Sequence, residues 1–86
     1  MKLPVIKQIQ RNCSVADIET AISVLEITSE AASLKEEELN VIGELISNMC
    51  GALEVHELVA TGISEKDAGN MFMKKVLGSI DTVRPA

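Results

Sequence analysis

Aromatic side chains are almost absent from this chain. Phe72 is the single one, and the sequence contains no tryptophan and no tyrosine. Proteins that bind single-stranded nucleic acids stack bases on aromatic rings and present a strongly basic face. With one ring and a formal net charge of −5, we expect no nucleic-acid partner. The core must be built from aliphatic side chains, so a single subunit should be only modestly stable.

Residues that carry chemistry are also scarce: the chain has one histidine, His56, and two cysteines, Cys13 and Cys50. On a helix, the positions three and four residues from His56 are apolar and cannot bind a metal: Ala52, Leu53, Val59 and Ala60. The cysteines have no motif around them, which indicates two buried thiols in a reducing compartment. We therefore expect no catalysis, no cofactor and no metal.

Long hydrophobic runs are missing as well. No stretch approaches the ~20 apolar residues of a membrane span, and the start at residues 1–4 lacks the features of a signal peptide. We expect a cytoplasmic protein with no membrane partner. Its 86 residues suit one domain, residues 1–86.

Two interleaved apolar seams are the strongest positive signal. The first seam is Leu39, Ile42, Ile46, Met49, Leu53, His56 and Ala60, and the second seam is Val41, Leu45, Asn48, Ala52, Val55 and Val59. At about 100° per residue, the two seams together cover about half of a helix circumference. A stripe this wide needs more than one neighbour, which predicts a central helix in an all-α protein.

The complete prediction is a small bundle of three main helices plus a short N-terminal helix. The helices are expected at residues 4–11, 15–31, 34–61 and 65–80, with a flexible tail at 81–86. Ser14, Ser33 and Ser64 each precede an acidic residue by three positions, a pattern typical of helix starts. Gly62 suits the left-handed residue that ends a helix, with Ile63 folding back.

The predicted central helix is too long for its own globule. Its 28 residues would span ~42 Å, whereas a compact chain of this length is about 30 Å across. The helix either bends near Gly43 or Gly51 or projects onto a second subunit. The row Gly43, Ser47 and Gly51 indicates either the close approach of another helix backbone or a solvated or kinked face.

The seams also predict burial and association. We expect a core that includes Ile22, Ile42, Ile46, Leu53 and Phe72. The rest of the stripe should meet a second copy in a two-fold dimer, with candidate contacts at Leu45, Met49, Ala52 and Val59. Which seam faces inward stays open. The methionines Met49, Met71 and Met73 either fill gaps in the core or line a groove for a partner helix.

Charge is divided along the chain. Residues 12–61 carry ten acidic side chains and one base, Lys35, while the two ends together carry seven bases and three acids. We expect the basic ends to lie against the acidic middle, within one subunit or across a dimer.

Two blocks resemble a family of short bacterial proteins classed only as a domain of unknown function. They are residues 1–7 and residues 33–81, which include Val-Ile-Gly-Glu-Leu-Ile-Ser-Asn-Met at 41–49 and Phe-Met-Lys-Lys-Val-Leu-Gly-Ser-Ile-Asp at 72–81. The resemblance implies a small soluble cytoplasmic protein and brings no activity, cofactor or catalytic residue.

Two hypotheses follow. The leading one is a non-enzymatic helical interaction or structural module that forms a homodimer. A different protein is a second possible partner. The alternative is an accessory protein or enzyme subunit that binds a small ligand or metal near Cys50 and His56. Native mass with and without a chelator separates the two.

Overall fold

Four helices make up the computed structural model, which describes residues 2–83 and the side chains of residues 2–76. They are α1 (Leu3–Asn12), α2 (Val15–Thr28), α3 (Glu36–Ala60) and α4 (Glu65–Val83). No strand occurs among these residues, so the all-α prediction is confirmed. No helix within the described part is both long and apolar enough to cross a membrane. The predicted flexible tail is helical as far as Val83, and its last residues, 84–86, lie outside the described part.

Two of the three predicted serine starts are confirmed. The Ser14 hydroxyl accepts from the Asp17 N–H at 3.1 Å, and the Asp17 carboxylate accepts in return from the Ser14 N–H at 3.3 Å. The Ser64 hydroxyl accepts from the Asp67 N–H at 3.2 Å. Each bond satisfies a first-turn N–H that has no partner within the helix.

The predicted start at Ser33 is wrong, because α3 begins only at Glu36. Successive turns occupy the connection before it, and the last of them joins the Leu34 N–H to the Ala31 carbonyl. The Glu38 carboxylate instead accepts from the Lys35 N–H at 3.0 Å. The turns hold Ser33 outside the helix. The N-terminus of α3 is capped instead by the carboxylate of Glu38, which belongs to its own first turn.

The end of α3 follows the prediction. Gly62 has φ of +99°, a conformation that glycine adopts without steric penalty. Its N–H donates to the Val59 carbonyl at 3.0 Å, and the Ile63 N–H donates to the Leu58 carbonyl at 3.4 Å. This bond pair is the Schellman motif, which turns the chain back so that Ile63 packs against the core.

The core surrounds the C-terminal half of α3. Three contacts show that α1 runs beside that half in the same direction, because they follow the same order along both helices. Lys2 is hydrogen-bonded to Asn48, the Ile6 side chain packs on Gly51, and Cys13 is hydrogen-bonded to His56. The helix α4 packs on α3 and α1, and α2 packs on α3. The buried apolar residues are Ile6, Ile18, Ala52, Val55, Ala68 and Phe72.

Gly51 and Gly43, which the sequence places in one row, have different surroundings. A Cβ atom on Gly51 would lie 2.9 Å from Ile6 Cδ1 and 3.0 Å from Phe72 Cζ, whereas a Cβ atom on Gly43 would meet nothing within 4 Å. Ser47, between them, is exposed. Side chains of α1 and α4 therefore pack closely on Gly51 and not on Gly43, and the close approach of another helix backbone stays a prediction.

The first half of α3 projects from this core. The helix is continuous from Glu36 to Ala60, and packing of its projecting part on a second subunit stays a prediction. We call residues 15–47, which comprise α2 and the projecting part of α3, the hairpin. Thr28, near the end of α2, lines one groove with Val41 and Ile42 near the start of α3, as expected for antiparallel neighbours.

Of the five predicted core residues, Phe72 alone is buried. Ile22 and Leu53 are half-buried against the core, and Ile42 and Ile46 are half-buried as well, which corrects the expectation that these four are buried. Ile42 and Ile46 precede Asn48, where α1 starts, so they lie beyond the helices that close the core.

Candidate functional site

His56 is a packed residue that joins two helices. Its Nε2 atom lies 2.8 Å from the carbonyl oxygen of Cys13, the residue that ends α1. Because a carbonyl can only accept, the imidazole donates this bond from Nε2. The side chain is half-buried. This hydrogen bond therefore joins α3 to the end of α1.

Cys50 does not share a site with His56. The two residues are six positions apart on α3, which separates their directions by about 120° around the helix and ~9 Å along it. Both cysteines are free; Cys13 is half-buried and Cys50 is exposed, which corrects the prediction of two buried thiols. Cys50 points about 140° away from Val55, the centre of the core face. Among the described residues, no group of three potential ligands could hold a metal.

The exposed acids of the hairpin have no basic partner from another helix among the described residues. The two ion pairs are Arg11 with Glu65 at 2.7 Å and Lys75 with Glu54 at 3.0 Å. Only the second joins a basic end to the acidic middle, and both lie on the core half of the molecule. Eight of the thirteen acids and one base, Lys35, belong to the hairpin.

The three methionines have two different roles. Met49 and Met73 are half-buried and pack against the core, as gap-filling requires. Met71 is 46% exposed and lines an open groove between α3 and α4. The groove is formed by Glu54, Glu57, Leu58, Thr61, Met71, Phe72 and Lys75.

The candidate interface residues are spread over three environments. Leu45 is exposed, Met49 and Val59 are half-buried against the core, and Ala52 is 0% exposed. Ala52 is inside its own subunit and is not available to a second copy, which corrects that choice. The second seam is therefore core after Asn48 and open surface before it.

The hairpin exposes most of the large apolar side chains found at the described surface. Six of eight such residues belong to it: Val15 44%, Val24 56%, Ile27 69%, Leu39 40%, Val41 54% and Leu45 39%. The candidate interface residues include none from α2, although Val24 and Ile27 are its most exposed large apolar side chains. The available signal was that apolar residues of α2 lie both on the side of Ile18 and on the side of Ile27, about 180° apart, which is typical of a helix with partners on more than one side.

The surface of the whole chain is unusually large. A folded protein of 9.2 kDa ordinarily exposes about 4,900 Å², whereas this chain exposes 6006 Å². Its radius of gyration is 14.4 Å, against about 12 Å for a compact chain of this length.

Comparison with known proteins identifies a family. The model of a family of unknown function, DUF6952, matches residues 1–81. The chain therefore belongs to this family. No curated protein and no solved structure matches the chain.

Proposed function

We propose that this member of the DUF6952 family is a non-enzymatic helical interaction module that forms a homodimer through its hairpin. The supporting observation is the concentration of exposed apolar side chains on residues 15–47, where Ile18 is the one buried apolar residue among those described. A large exposed apolar patch is typical of a protein interaction site, and we infer that these side chains supply one. The described residues outside the hairpin expose only Val5 and Met71 among the large apolar side chains.

The excess surface has the size that a dimer would remove. The chain exposes 6006 Å², about 1,100 Å² more than expected from its mass. A standard interface removes about 800 Å² from each partner. Two-fold pairing presents the same patch on both subunits and is the commonest closed arrangement.

The ligand- or metal-binding alternative receives less support. It places a small ligand or metal near Cys50 and His56, and the two side chains lie on different sides of α3. A native mass that falls on adding a chelator would nevertheless favour it over a metal-free module.

We place this function in the cytoplasm, since Cys13 and Cys50 are both unpaired and free thiols are typical of reducing compartments. Fractionation of the producing cells tests this location, and recovery of the protein outside the cytoplasm would contradict it.

Sedimentation equilibrium at tens of micromolar tests the self-association. We expect twice the 9.2 kDa chain mass and dissociation on dilution. A triple variant, Val24→Glu, Ile27→Glu and Val41→Glu, should sediment as a folded monomer. The matched control is Met71→Glu, which changes a comparably exposed residue (46%) outside the hairpin and should remain dimeric. A well-folded wild-type monomer would overturn the proposal.

A further inference from the structure

A groove lined by apolar and acidic residues opens at the tip of the hairpin. It lies where α2 ends and α3 begins, and its volume is about 490 Å³, which is within the range of about 300–1,000 Å³ typical of binding sites. We call it the tip groove. The residues that line it are Thr28, Leu34, Glu37, Glu38, Val41 and Ile42.

The apolar side chains of the tip groove are suited to contact with a partner. Val41 is 54% exposed, while Leu34 and Ile42 are half-buried. The Thr28 hydroxyl already donates to the Val24 carbonyl at 2.7 Å, so an apolar neighbour would leave it satisfied. An apolar side chain that entered the groove would therefore remove water from Val41 without isolating the Thr28 hydroxyl.

The charge around the tip groove is strongly negative. Residues 26–38 carry five acids and one base, Lys35, and the two ion pairs of the described residues lie elsewhere. Three of the acids, Glu36, Glu37 and Glu38, occupy the first turn of α3, where the helix end supplies only about half a positive charge. The last turn of α2 has no basic residue, and its end adds about half a negative charge. The groove therefore attracts a positively charged partner.

A second copy of the chain offers no matching segment among the described residues. A helix that fills an apolar groove needs apolar side chains at repeated helical spacings. Outside the hairpin, the described surface exposes one large apolar side chain on α1, Val5, and one on α4, Met71. The hairpin has more of them but carries eight acids, so a second hairpin would bring like charges to the rim of this groove.

We infer that the tip groove binds a basic amphipathic helix of a different protein. The apolar side chains of that helix pack on Leu34 and Val41, and its lysine or arginine side chains pair with the carboxylates of Glu37 and Glu38. The inference goes beyond the proposed homodimer, because it adds a second kind of partner and requires no self-association.

A synthetic peptide tests the chemistry of this partner. The probe is a fluorescent peptide of leucine and lysine, with leucine along one helical face and a length of about 15 residues, below which isolated helices are marginal in water. Fluorescence anisotropy at about 20 mM salt should show saturable binding to the wild type. A peptide with glutamate in place of every lysine should not bind. A peptide of the same composition, reordered so that it has no apolar face, should bind at least about tenfold more weakly.

Two valine variants locate the site. Val41→Ser should weaken binding about tenfold, because the partner loses contact with an apolar side chain. Val15→Ser is the matched control, because it changes a comparably exposed valine (44%) that lies about 20 Å from Thr28 along α2 and should leave Kd within about a factor of two. Thermal unfolding of both variants checks that they are folded.

Two charge variants and a salt series test the ion pairing. Glu37→Gln should weaken binding and reduce its dependence on salt, because the groove loses one charge. Glu19→Gln is the control, since this exposed acid lies about 13 Å from Thr28 along α2, beyond the screening length of about 10 Å at 0.1 M salt. For the wild type, Kd should rise at least about fivefold between about 20 mM and about 500 mM salt.

The outcomes separate the tip groove from the homodimer. Absence of saturable binding overturns the inference, whatever mass the wild type has in sedimentation. Equal binding of the reordered peptide, or equal effects of Val41→Ser and Val15→Ser, shows general attraction to an acidic surface and overturns it as well. Binding at the groove by a chain that sediments as a monomer supports the inference and overturns only the proposed homodimer.

Discussion

The Lys2 backbone N–H donates to the Asn48 side-chain oxygen across 2.9 Å and joins the start of α1 to the middle of α3. Asn48 is 7% exposed although it is polar. The bond marks a boundary on α3, because the residues after Asn48 are covered by α1 and α4 and those before it form the hairpin. The position of this one contact decides which part of the second seam is core.

Replacement of Asn48 should therefore loosen the attachment of α1. Asn48→Ala removes the acceptor of the Lys2 N–H, and loss of a partly buried bond of this kind costs about 1–2 kcal/mol. The free energy of unfolding, measured by urea denaturation at fixed protein concentration, should fall by that amount. Asn40→Ala is the control, since Asn40 is exposed on the same helix. An equal effect of both variants would show that the bond contributes nothing.

The two glycines of α3 should respond oppositely to alanine. Gly43→Ala adds a methyl group in open space and should raise the free energy of unfolding by about 0.5–1 kcal/mol through helix propensity. Gly51→Ala places the methyl group against the buried side chains of Ile6 and Phe72, and overpacking costs roughly 1–3 kcal/mol. Thermal unfolding should give a higher Tm for the first variant and a lower Tm for the second. Stabilisation by Gly51→Ala would contradict the close packing.

Gln10 should be a site where removing a polar group stabilises the protein. Its Oε1 atom is buried without a hydrogen-bond partner, and the residue is 8% exposed. Gln10→Met keeps the length of the side chain and removes the unsatisfied oxygen, which should raise the free energy of unfolding by roughly 1 kcal/mol. Gln8→Met, at an exposed position of α1, should change it little. A loss of stability in Gln10→Met would point to a bound water as the missing partner.

A side chain at position 62 should lower the stability of the protein. Its φ of +99° is a conformation that costs other residues about 1–2 kcal/mol. Gly62→Ala should lower the free energy of unfolding by about that amount, although nothing lies within 4 Å of the new methyl group. The contrast with Gly43→Ala, which has the same open space, isolates backbone strain. Equal stabilities of the two variants would show that the turn relaxes freely.

Helix identity and most helix ends follow from the sequence alone because they depend on local interactions. The three longer helices come from apolar periodicity, and the short first helix comes from Pro4, which suits a first turn. The starts at Ser14 and Ser64 come from side chains that bond the adjacent backbone, and the end at Gly62 from its freedom to take a positive φ. The failure at Ser33 has a local cause as well. Turns that end at Leu34 compete with the helix there, and the spacing of Ser33 and Glu36 does not indicate these turns.

Only the tertiary structure decides which positions of a helix are covered. Gly43 and Gly51 look alike in the sequence, but α1 begins at the level of Asn48 and places Ile6 against Gly51 alone. For the same reason Ala52 is core while Leu45 is exposed, although both belong to the second seam. A periodic pattern shows that a face is apolar and does not show how far its neighbours extend. That extent depends on where helices distant in sequence meet, here at the bond between Lys2 and Asn48.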